Sequence, residues 1–142
     1  MTLDELQQSA EKDLKMDDLE LGDESLKSAS LHQKYLTHYN QFRQLVILKE
    51  GEYKVLYRKK WEYYGGKADP DVYREKPLDL KILKQDVPIY LEGDKELIES
   101  QHAVEYHKAM VDHAEKMCKM LNNRGFQIKN AIDWKRFMEG SI

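Results

Sequence analysis

The chain has 142 residues, with 23 basic against 26 acidic side chains, a formal net charge of −3, one cysteine and three prolines. A single cysteine excludes an intrachain disulfide, and no apolar run nears the ~20 residues that a bilayer-spanning helix needs. A charged content of 35% with few glycines and prolines points to long helices, and 10% aromatics argue against disorder, because burying large side chains offsets chain entropy.

These bounds predict one all-α domain over 1–142 in a reducing, intracellular setting. The opening "MTLDELQQ" lacks the basic start and apolar segment of a signal peptide, so a soluble cytoplasmic protein is expected. Charge is unevenly placed. Residues 1–24 hold nine acids and two bases, a balance of −7, whereas 53–67 hold five bases and one acid, a balance of +4. Local fields of this kind, not the total charge, decide what a surface attracts.

In chain order, Thr2 and Glu5 have the spacing of a capping box, which predicts a short helix over about 3–14. Residues 15–23 read as a connector that completes an acidic N-terminal segment, 1–23. From Glu24 to Tyr64 there is no proline, which predicts one long helix of roughly 60 Å at 1.5 Å per residue. Leu31, Tyr35, Tyr39, Phe42, Val46, Tyr53, Tyr57 and Tyr64 fall near one side of it. Gly51 is a place for a bend, and Gly65-Gly66 ends the helix, so that this element and its cap fill 24–67. Residues 68–93 contain all three prolines and form a connector. Pro70 opens a short helical turn, and 80–93 are read as partly extended, with Pro88 confining any strand to an edge. Asp94 caps a second long helix that ends near Asn123, closed by "NNRG" with Gly125 as the cap. A short C-terminal helix follows and turns Ile128, Ile132 and Phe137 inward. The architecture is thus two long helices with short N- and C-terminal helices, and residues 94–142 form the C-terminal helical region.

The stretch "YRKKWEYYGGK" at 57–67 carries the most chemistry. Single-stranded nucleic acid asks for cations to meet phosphates and flat apolar faces to meet unpaired bases. Lys54, Arg58 and Trp61 share one helix face at i, i+4 and i+7, and Tyr57, Lys60 and Tyr64 share the next. Lys59, Tyr63 and Lys67 complete the block. Nothing in it suggests reading of base edges, so sequence-nonspecific binding is expected. A second reading stands beside this one: Tyr53, Tyr57 and Tyr64 continue the apolar stripe, which suits a core or a subunit interface, and the lysines are then a solvated face.

Other chemistries find little support. Glu99 and His102 make a single Glu-x-x-His pair, whereas a di-iron bundle needs two pairs and two further carboxylates. "GGK" at 65–67 lacks phosphate-loop spacing. Cys118, flanked by Met117 and Met120, reads as a packed thiol. No catalytic group, metal site or cofactor is predicted, and an enzyme is not expected. Two helices this long leave much apolar surface for so short a chain to bury, which predicts oligomerisation. The runner-up is a helical assembly protein that binds no DNA.

At these residues the sequence resembles the UvsY family, recombination mediators of T-even-type bacteriophages. The likeness runs from "LDELQ" through "VLYRKKWEYYGGKA" at 55–68 to "NRGFQIK" and "RFMEG" near the end, and is poor over 68–96. The family's block has the form Leu-Lys-Ala-Arg-Leu-acid-Tyr-Tyr-Ser-Gly-Arg. Arg58 and Lys60 match its two cations, Lys59 stands where the family has a small residue, and Trp61 stands where it has leucine. If that leucine position is buried, Trp61 packs instead of stacking on a base. The resemblance implies a non-enzymatic mediator that binds single-stranded DNA, loosens the phage single-strand-binding protein and loads a RecA-like recombinase of the UvsX type in the cytoplasm of the infected host. It also implies a ring of six or seven subunits held by C-terminal helices. On this reading Arg58 and Lys60 are the leading DNA contacts, with Lys54, Lys59, Lys67, Trp61, Tyr63 and Tyr64 around them. Val111, Ala114, Met117, Leu121, Phe126, Ile128 and Ile132 hold the assembly, and no membrane is involved. The acidic N-terminal segment is expected to contact partner proteins or to shield the basic block.

Overall fold

A computed structural model describes residues 1–140. Its elements are α1 (Leu3–Leu14), α2 (Leu21–Tyr64), α3 (Pro70–Glu75), a 3-10 turn (Lys84–Asp86), α4 (Val87–Glu92) and α5 (Lys95–Met138), with no strand among the described residues. None of these helices is long and apolar enough to cross a membrane. The chain divides into two compact units, Met1–Arg43 with Lys108–Ile142, and Gln44–His107; α2 and α5 contribute to both.

The first unit packs three helical segments. The predicted capping box starts α1: the Glu5 amide donates to Thr2 Oγ1 at 3.1 Å and the Thr2 amide donates to Glu5 Oε2 at 2.9 Å. Leu6 and Ala10 of α1 then meet Tyr35 and Phe42 of α2 and Met110, Ala114, Met117 and Leu121 of α5 in one core, with Leu3, Leu14, Leu31, Tyr39, Val111 and Cys118 around it. The buried α5 positions 110, 114, 117, 121, 124 and 128 alternate steps of four and three, the spacing that keeps one helix seam facing a partner.

Arg124 occupies one of those seam positions and is buried. Its guanidinium pairs with the carboxylate of buried Glu24, in the first turn of α2. It also donates to the Asp13 carbonyl at 2.9 Å, one of the carbonyls left unpaired at the C-terminus of α1. One side chain thereby ties three helices together. The predicted stop at "NNRG" does not occur, and the predicted short C-terminal helix is the last part of α5. Asn122, Asn123 and Gly125 are exposed, and helix propensity yields where Arg124 and Ile128 have burial to gain.

In the second unit Val87, Leu91 and Leu97 are buried against Tyr53, Leu56, Tyr64 and Ile82. The segment expected to be extended around Pro88 is helical instead, because Pro88 sits in the first turn of α4, where its missing N–H is not needed. Pro70 opens α3 as predicted. Helix α2 passes through Gly51 and ends at the predicted glycines. Gly66, at φ +73°, donates to the Tyr63 carbonyl at 3.2 Å and Lys67 donates to that of Glu62 at 2.8 Å, which together make a Schellman cap.

Candidate nucleic-acid interface

The block at the end of α2 separates into two sets of side chains. Lys54, Arg58, Lys59 and Lys67 are exposed. Trp61 is 42% exposed, and Lys67, turned back by the Schellman cap, lies over its ring at 4.7 Å from the centroid. A cation at that distance is held by about 0.5–1 kcal/mol at an exposed site. Trp61 therefore does not pack as a core leucine would. Tyr57 is equally exposed, with the Tyr53 ring 6.1 Å away.

Lys60 and Tyr64 point the other way, into a network centred on Asp94, the N-cap of α5. Asp94 Oδ1 accepts from the Leu97 amide at 3.0 Å, and Oδ2 accepts from the Tyr64 hydroxyl at 2.6 Å and pairs with Lys60 Nζ at 3.3 Å. Lys60 Nζ also lies 3.3 Å from Glu96, which holds Lys76 at 3.2 Å. Burial alone would raise the Asp94 carboxyl, but the hydrogen bonds from Tyr64, Leu97 and Lys60 outweigh it and hold the group below the ordinary carboxylate range. Burial and the bond to Asp94 push the Tyr64 hydroxyl well above its usual value.

Tyr63 is fixed as well. Its ring stacks on Tyr73 at 5.4 Å and its hydroxyl donates to the Lys76 carbonyl at 3.1 Å. Tyr73 in turn donates to the Tyr63 carbonyl at 2.8 Å, which satisfies the end of α2. Between these groups opens a cleft of about 820 Å³ whose lining mixes the cations Arg58, Lys59, Lys60, Lys67 and Lys76 with the acids Glu62, Asp69, Glu75 and Glu96. A second, apolar concavity of about 690 Å³ runs along α2 past Ile47, Leu48, Gly51 and Val55 to Lys59. Among the described residues no cluster of His, Cys, Asp and Glu could hold a metal ion.

Sequence reasoning missed Tyr73 and Lys76, in the connector 68–93, and Glu96, in the first turn of α5, and it read Asp94 only as a helix cap. No short-range signal connects Lys60 or Tyr64 to a carboxylate thirty or more residues away.

The predicted assembly residues also divide. Ala114, Met117, Leu121 and Ile128 are buried within this chain and so face its own helices, not a neighbour. Ala114, Met117 and Leu121 belong to the core shared with α1 and α2. Val111 and Ile132 are half-buried, and Phe126 is 69% exposed. Trp134 and Phe137, stacked at 5.7 Å, are exposed on the same end of α5.

The family model of the recombination, repair and ssDNA binding protein UvsY matches residues 9–141. The chain belongs to the UvsY family. The recombination protein uvsY of Enterobacteria phage T4 is 25% identical over 140 residues, covering 99% of each chain. Crystal structures of the bacteriophage T4 recombination mediator protein UvsY share the fold. One aligns with a TM-score of 0.84 at 24% identity, covering 98% of both chains. Another gives 0.81 at 22% identity, covering 97% of this chain and 99% of the other. Membership in the UvsY family accords with an all-helical chain whose exposed cations cluster at one helix end.

Proposed function

We propose that this chain is a recombination mediator that binds single-stranded DNA without sequence specificity, acts as a homo-oligomeric ring, and loads a RecA-like recombinase onto strands covered by single-strand-binding protein in the host cytoplasm. The observation that carries the DNA part is the exposed set Lys54, Arg58, Lys59 and Lys67 beside the 42% exposed side chain of Trp61. The cations meet phosphates, and the indole offers stacking worth about 1–3 kcal/mol per base. No base-edge reader is needed.

One such patch binds weakly. Several on one ring convert later contacts into intramolecular ones and raise avidity by about 10²–10⁴ where the geometry allows. A ring also makes the polynucleotide bend. Unpaired strands bend cheaply, whereas duplex resists on the ~150 bp scale, so preference for single strands follows without base recognition. Exposed Phe126, Trp134 and Phe137 support assembly through the end of α5, as apolar surface of this kind marks an interface. Loading of the recombinase needs no chemistry from the mediator, only a grip that competes with the single-strand-binding protein.

The second reading, an assembly protein that binds no DNA, draws on exposed Ile47, Leu48 and Val55 beside the block. Titrating a labelled oligonucleotide at two salt concentrations separates the two. The mediator binds in the nanomolar-to-micromolar range and weakens steeply with salt; the assembly protein gives background only, and that result would reject the proposal.

A further inference from the structure

The geometry points to Lys60 as a positioning residue, not a phosphate contact: with Tyr64 and the buried carboxylate of Asp94 it fastens the basic end of α2 to the first turn of α5. Arg58, Lys59 and Lys67 are left to face the DNA. This rests on the single-stranded-DNA reading above.

Three observations converge. The Lys60 side chain is 16% exposed and its ammonium already lies 3.3 Å from each of two carboxylates, Asp94 and Glu96. A phosphate approaching it would meet two like charges, one of them buried and locked by the Leu97 amide and the Tyr64 hydroxyl. By contrast Arg58, Lys59 and Lys67 are exposed, and among the described residues none of the three is in a salt bridge. Lys60 and Tyr64 lie one helical turn apart at i and i+4, so both reach Asp94 from one face of α2, while Arg58 and Trp61 project from another. The residue most readily taken for a DNA contact by its place in the motif is therefore the one whose charge is already matched inside the protein. Its effect on binding runs through the placement of its neighbours.

Salt dependence separates a phosphate contact from a positioning residue, because each cation that meets a single-stranded phosphate contributes about 0.7 to the slope of log affinity against log salt. Binding of labelled oligothymidylate is measured over a salt series for the full chain and its variants. Arg58→Ala is expected to flatten the slope by about 0.7 per engaged subunit. Lys60→Met, which keeps the apolar stem, is expected to keep the wild-type slope and to lower the thermal midpoint. Asp94→Asn retains every cation and is expected to lower the midpoint without tightening binding. Tyr64→Phe, which leaves every charged side chain in place, is expected to do the same, and so covers the case in which Lys60→Met does not fold.

A Lys60→Met slope flattened as far as that of Arg58→Ala would overturn the inference. So would an Asp94→Asn variant that binds more tightly with a steeper slope, as a released Lys60 would make it, or a Tyr64→Phe variant with an unchanged midpoint. If the wild-type chain itself ignores the oligonucleotide, the DNA-binding reading fails first, and the variants need not be consulted to see it.

Discussion

At the scale of single residues, two buried carboxylates organise the molecule, each with a cation from a distant part of the chain. Glu24 and Arg124 are both nearly inaccessible. Removing Arg124 leaves the buried Glu24 carboxylate only the exposed Lys27 at 3.5 Å, so Arg124→Ala should destabilise the first unit by about 3–5 kcal/mol in denaturant unfolding. The double variant Glu24→Gln with Arg124→Met should recover most of that loss, because neither charge is then left unmatched. Asp94 makes a pH prediction. Its carboxyl is held below its ordinary value in the folded chain, so the unfolded chain binds the proton more readily. The stabilisation is fully present above the unfolded value of about 3.9 and is lost as pH falls through the folded value. Unfolding midpoints of wild type and Asp94→Asn should therefore differ most above about pH 4 and converge in stronger acid. Tyr35 shows the converse arrangement: burial and its bond to Asp13, at 2.7 Å, raise its hydroxyl to about 12, so it remains protonated as a donor.

At the scale of elements, glycines with similar sequence signals have opposite roles. Gly125 lies in the interior of α5, and a Cβ added there meets nothing within 4 Å. Gly66 has φ +73° and closes α2. Gly125→Ala should raise stability by about 1 kcal/mol, and Gly66→Ala should lower it by roughly 1–2 kcal/mol, both read from thermal midpoints. Helix α1 is not a detachable acidic tail, since Leu6 and Ala10 belong to the core of the first unit. Deleting residues 1–22 would remove that packing together with any charge effect. Changing exposed Asp4, Glu11 and Asp17 to asparagine or glutamine isolates the charge and tests whether the segment meets a partner.

At the scale of the whole molecule, the proposed assembly makes its prediction at the exposed end of α5. Leu121→Asp would unfold the first unit, because Leu121 is buried within the chain. Phe126→Asp is the informative change, as its side chain stands in solvent. It should reduce the mass measured by light scattering while leaving helical circular dichroism intact, and DNA affinity should fall toward that of a single patch. A drop in helicity instead would place Phe126 among the structural residues.

The sequence by itself determined the helical class, the capping box at Thr2, the glycine stop after Tyr64, the cap at Asp94, and a block dense in cations and rings. Each of these is written within a few neighbouring residues, through helical period or backbone conformation. It also held, unread, the four-three spacing that carries the α5 seam from Met110 through Arg124 to Ile128; the local stop signal at "NNRG" masked it. Only the tertiary structure decided that α5 continues past Gly125, that Ala114, Met117, Leu121 and Ile128 face inward, and that Lys60 and Tyr64 turn toward Asp94 while Arg58 and Trp61 turn toward solvent. Those outcomes depend on pairings between groups that are remote in sequence. Burial and charge compensation across such distances outweigh propensities of a few tenths of a kcal/mol per residue.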